Sequence, residues 1–90
     1  MAQVVFKRTG QPAVDVKATF DGKKLKFDAS GKATTNVAAG EYYSLSWIAM
    51  GTPAKAWSLE MMRPAAVGFA ISKTLPPDGR DSNTEWIYIP

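Results

Sequence analysis

Asp28-Ala29-Ser30-Gly31-Lys32-Ala33-Thr34-Thr35-Asn36-Val37-Ala38-Ala39-Gly40-Glu41-Tyr42-Tyr43-Ser44-Leu45-Ser46-Trp47 decides the fold class of this chain. Gly31 and Gly40 punctuate two alternating runs, the pattern of a β-meander. Tyr43, Leu45 and Trp47 recur at the two-residue spacing that places side chains on one face of a pleated strand. Asp28 and Ser30 are residues that bond the backbone two positions on, and Gly31 tolerates the left-handed conformation such turns need. Gly40 sits where the meander reverses, so it too is expected at positive φ.

Outward from this stretch the same rhythm holds. Before it, Val14, Val16, Ala18 and Phe20 alternate with Asp15, Lys17 and Thr19, which reads as a half-buried antiparallel strand. Asp21-Gly22 follows, a pair favoured in two-residue hairpin turns, and Lys23 to Asp28 is expected to return as a strand with Leu25 and Phe27 inward. Gln3 to Arg8 reads as a first strand, ended by the turn residues Thr9-Gly10-Gln11-Pro12. After the meander, Tyr42 to Met50 is the longest β-like run and Gly51-Thr52-Pro53 ends it. Ala54 to Met62 contains good helix formers, but Trp57, Leu59 and Met61 alternate cleanly between Pro53 and Pro64, which favours a strand. Val67, Phe69 and Ile71 suggest another strand, Leu75-Pro76-Pro77-Asp78-Gly79 a rigid loop, and Thr84 to Ile89 a last strand. Strands at about 8–12-residue spacing predict an all-β, single-domain β-sandwich over residues 1–90, with seven or eight mostly antiparallel strands, immunoglobulin-like or prealbumin-like.

From Val14 to Gly51 the chain resembles the transthyretin-like or carboxypeptidase regulatory-domain-like β-sandwiches. The resemblance rests on the Asp28-x-x-Gly31 turn, the strand to Val37, and Gly40-Glu41-Tyr42 entering the next strand. It implies a non-catalytic accessory domain. The hydroxyisourate hydrolases, the catalytic branch of transthyretin-like proteins, are least similar, because their sites use histidine and this chain has none. The apolar alternation after Gly40 falls at Tyr43, Leu45 and Trp47, one position later than the family pattern. A bulge or a shifted register is expected there.

Composition narrows the chemistry. Without Cys or His the chain lacks thiolate and imidazole groups for nucleophilic, zinc or neutral-pH acid/base chemistry. No nucleophile-and-base pair stands out, so no catalytic residue, metal ligand or cofactor is expected. Asp78, Asp81, Asn83 and Glu85 place oxygens at alternate positions, but the glycine and distal glutamate of a calcium loop are missing, and a hydrophilic loop is the simpler reading. Eleven Lys and Arg against eight Asp and Glu give a charge of +3, with Lys23, Lys24 and Lys26 as the local cluster. That cluster reads as a solvated face, and no basic stripe with interleaved aromatics points to nucleic acid. No segment has the ~20 apolar residues that span a bilayer, so no membrane insertion is expected. The opening run to Lys7-Arg8 is too short for a signal peptide. A soluble chain without an export signal is expected, extracellular only as a fragment of an exported protein.

The aromatics carry the functional reading. Tyr43, Trp47 and Trp57 fall on core faces, and Met50, Met61 and Met62 read as core filler. Ile87 and Ile89 already give the last strand an apolar face, so Trp86 and Tyr88 must point the other way. Tyr42 is likewise opposed to Tyr43. Tyr42, Trp86 and Tyr88 are therefore the candidate binding residues, for a protein partner or self-association, with carbohydrate stacking on the rings as the alternative.

Overall fold

The computed structural model describes residues 1–90 and contains eight strands in two four-stranded antiparallel sheets. In chain order these are β1 Ala2–Thr9, β2 Val14–Phe20, β3 Lys23–Lys24, β4 Lys32–Val37, β5 Glu41–Gly51, β6 Ala56–Arg63, β7 Ala70–Thr74 and β8 Arg80–Ile89. The first sheet runs β4-β1-β6-β7 and the second β3-β2-β5-β8. The two pack as a sandwich, because each central strand has one apolar face that only the opposing sheet can cover. Val4 and Phe6 of β1 and Trp57, Leu59 and Met61 of β6 meet Val16 and Phe20 of β2 and Tyr43, Leu45 and Trp47 of β5 in one core cluster. Phe6 and Phe20 pack edge to face across the layers, with ring centroids 5.2 Å apart.

The turns follow their sequence chemistry. Asp21 (φ 54°) and Gly22 (φ 74°) both take left-handed conformations between β2 and β3, as a two-residue hairpin of this hand requires. At the next turn Asp28 Oδ1 accepts hydrogen bonds from the backbone N–H groups of Ser30 (2.9 Å) and Lys32 (3.0 Å) and from the Ser30 hydroxyl (2.6 Å). These bonds, the Ser30 hydroxyl first, hold the Asp28 carboxyl below its ordinary value of 3.8. A depressed carboxyl stabilises the fold when ionised: the contribution is complete above the ordinary carboxylate range and is lost as pH falls through the lower folded value. Asp28→Ala is therefore expected to unfold more easily than the parent at neutral pH, with the difference shrinking under acid. Denaturation midpoints at several pH values check this.

Gly40 lies at φ 82° and nothing stands within 4 Å of where its Cβ would be. The conformation alone thus opposes a side chain. Gly40→Val is expected to cost about 1–3 kcal/mol, the cost of holding a β-branched residue in that region, read as a lower denaturation midpoint.

Four local expectations are corrected. The strand expected over Lys23 to Asp28 stops at Lys24. One further bond forms, Leu25 N–H to Ala18 carbonyl (2.9 Å), and then Arg8 takes over the exposed edge of β2. Arg8 donates to the Val16 carbonyl at 2.6 Å and lies 4.5 Å from the centre of the Phe27 ring. Next, the strand expected from Val67 starts at Ala70, because Ala65–Val67 form a single 3-10 turn closed by Gly68 at φ 71°. The last strand begins at Arg80 rather than Thr84, so Asp81 to Asn83 is ladder rather than loop. Finally, no bulge interrupts β5, which pairs continuously from Glu41 to Gly51; the one irregular step in the ladders lies between Val5 and Phe6 of β1.

Candidate functional site

The register of β5 and β8 builds the site. Both strands turn their odd-numbered residues to the core: Tyr43, Leu45 and Trp47 on β5, Ile87 and Ile89 on β8, all buried. Their even-numbered residues consequently form the outer face of the second sheet. Tyr42 stands opposite Tyr88, Ser44 opposite Trp86, and Ser46 opposite Thr84. Tyr42, Trp86 and Tyr88, the three residues singled out in the sequence, therefore share one end of one face. Their exposures are 67%, 70% and 45%. The Tyr42 and Tyr88 rings pack against each other with centroids 5.0 Å apart, and Trp86 follows on the same side of β8. Large aromatic surface left in water in a cluster is unfavourable, and such patches mark interaction surfaces.

Beneath the patch the backbone is held firmly. The Tyr43 hydroxyl donates to the Ala38 carbonyl at 2.6 Å and lies 3.3 Å from the Glu41 carboxylate. This ties the Ala38–Gly40 turn to the strand that carries Tyr42. Burial, and then the Glu41 charge, push the Tyr43 phenol above its ordinary value, so it remains a donor throughout the neutral range.

Next to the aromatics runs a row of hydroxyls that sequence reading did not find. Thr19, Ser46 and Thr84 stand in register across β2, β5 and β8, and the Ser46 and Thr84 oxygens lie 2.9 Å apart. Beyond this row Lys17, Lys24 and Ile48 border a shallow depression of about 290 Å³. The outer face thus grades from aromatic through hydroxyl to cationic. Alternating Ser44-x-Ser46 and Ser82-x-Thr84 were the available signal, but which hydroxyls meet depends on a pairing of β5 and β8 that joins residues 38 apart in the sequence.

The remaining polar groups are dispersed. No charged or polar residue is fully buried. The ion pairs Arg8–Asp15 (3.5 Å), Lys17–Asp15 (3.8 Å) and Lys73–Asp81 (3.3 Å) involve half-buried or exposed partners. Asp81 faces Lys73 of the opposite sheet, so the alternating oxygens from Asp78 to Glu85 are spent along a strand, and no group of three or more acidic side chains gathers to hold a metal ion. Of the methionines only Met61 is core. Met62 is exposed on the outer side of β6, and Met50 is half-buried on the outer face of β5, because each falls on the parity opposite the core. No helix is long and apolar enough to cross a membrane.

Fold and site together define a small all-β sandwich that presents an aromatic cluster beside an open sheet edge. No family model, curated protein or solved structure gives a significant match to the chain.

Proposed function

We propose that this domain is a non-catalytic binding module that docks a protein partner, an identical subunit included, on the outer face of β5 and β8. The observation that carries the reading is the gathering of Tyr42, Trp86 and Tyr88 on one exposed end of that face, where nothing in the chain covers them. Aromatic anchors of this kind supply most of the binding energy at protein interfaces. The likeness of the Val14–Gly51 segment to transthyretin-like and regulatory-domain-like sandwiches supports the same accessory, non-enzymatic role.

Carbohydrate is the second reading, supported by the hydroxyl row from Thr19 to Thr84 beside rings that would stack on a pyranose face. Site-directed photo-cross-linking separates the two. A photoreactive residue at Ser44, between the aromatics, is expected to trap one protein species in the native source. The same residue at exposed Thr34 on the first sheet is expected to trap none, and Trp86→Ala is expected to abolish the Ser44 product. Equal capture at both positions, or capture indifferent to Trp86→Ala, would contradict the protein reading. Quenching of tryptophan fluorescence by a polysaccharide, with no cross-linked protein, would favour the sugar.

A further inference from the structure

β8 ends its sheet, and no strand pairs with its outer edge. On the inner edge the Ile89 carbonyl accepts from Gly40 N–H, and across β5 the Ser44 carbonyl accepts from Asp21 N–H on the β2 side. The alternation of an antiparallel ladder then turns the amides and carbonyls of Thr84, Trp86 and Tyr88 off the free edge. Beside this stretch β7 gives way to the 3-10 turn, which leaves a groove of about 620 Å³. Ala66, Val67 and Phe69 form one wall, and Trp86 and Tyr88 border the other. The groove thus combines unpaired strand backbone with apolar side chains on both sides, the two requirements for capturing an extended segment.

The charge of the groove narrows the occupant. Glu85 is the one charged side chain lining it; it is half-buried and takes part in none of the ion pairs of the molecule. Asp81 lies on the same inward side of β8, four residues earlier, where it meets Lys73. If two copies paired β8 to β8 about a two-fold axis at Asn83, inward residues would face inward residues, and the carboxylates of Asp81 and Glu85 would be brought together. Like charges across a ladder are unfavourable, and inward-pointing charges are a known guard against edge-to-edge pairing. A strand with a cation at the matching position removes the repulsion and gives Glu85 a partner.

We infer that the free edge of β8 takes an extended segment of another protein, added as a fifth strand of the second sheet, apolar at alternate positions and carrying a Lys or Arg that meets Glu85. This rests on the protein-binding reading above and names the partner's chemistry. The probe is a capped nine-residue peptide of alternating threonine and valine with lysine in place of the central valine. Its twin carries glutamate there.

With the lysine peptide, the amides of Thr84, Trp86 and Tyr88 are expected to gain protection from hydrogen exchange. The glutamate peptide is expected to bind about tenfold more weakly, and Glu85→Lys to reverse the preference. Edge amides that exchange freely at millimolar lysine peptide, or equal binding of the two peptides, would overturn the inference. So would edge protection that grows with protein concentration alone, which would show β8 pairing with itself. If the inference fails while the Ser44 cross-link still depends on Trp86, the partner docks on the face and the proposed function stands. Loss of the cross-link instead counts against the function itself.

Discussion

Trp57→Ala is expected to lower the unfolding free energy by about 3–5 kcal/mol, the range for deleting a fully buried large aromatic. Trp57 is the largest of the fully buried side chains, at 1% exposure, and sits near the start of β6, a strand flanked by β1 and β7. The cavity has little means of closing, because Leu59, the next residue on the same face of β6, is fixed in a central strand and equally buried. Domains of this length have about 5–13 kcal/mol in total, so the loss would leave a protein near its unfolding threshold. The indole Nε1 is buried without a hydrogen-bond partner. Trp57→Phe should therefore cost much less than alanine, since it discards the unpaired donor and keeps most of the volume. Urea denaturation of the two variants checks both the size and the order; equal losses, or none, would remove Trp57 from the core.

The second large effect is expected at Gly51, where three stretches of backbone meet. Gly51 pairs with Val14 at the start of β2, and its N–H donates to the Gly79 carbonyl at 3.0 Å. A Cβ on Gly51 would fall 2.0 Å from the Ala13 carbonyl oxygen and 2.9 Å from the Val14 Cα. Both obstacles are main chain, which cannot swing aside as a side chain can. Gly51→Ala should separate β2 from β5 at this end and cost about 3 kcal/mol, at the upper end of overpacking penalties. The contrast with Gly40 is informative: there the site is open and only the conformation resists. A Gly51→Ala midpoint equal to that of the parent would mean that the β2–β5 ladder does not close as described.

What could be read from the sequence was what local chemistry determines. Val14 to Phe20 and the Asp21-Gly22 turn were legible to the residue, because alternation and a two-residue turn suffice to specify a hairpin. The outward aim of Trp86 and Tyr88 was legible from Ile87 and Ile89. The early end of β3 was not, since it depends on Arg8 of the opposite sheet competing for the Val16 carbonyl. The start of β8 was hidden for a related reason. Asp81, Asn83 and Glu85 occupy the inward parity, which erases the apolar alternation, and they are tolerated there because the strand lies at the open side of the sandwich, where Lys73 answers Asp81. The meeting of Tyr42 with Tyr88, and the wall that Val67 and Phe69 raise beside β8, both require a pairing between distant segments that no local pattern contains.

The central claim is that Trp86 serves binding rather than folding, and one paired measurement on Trp86→Ala tests it: the urea midpoint of the isolated domain together with its affinity for the partner trapped at Ser44. With the side chain 70% exposed, the account predicts stability within about 0.5 kcal/mol of the parent. It predicts an affinity weaker by about 2 kcal/mol or more, roughly thirtyfold. A variant that loses several kcal/mol of stability, yet binds as tightly as the parent once folded, would make Trp86 part of the structural core and contradict the account.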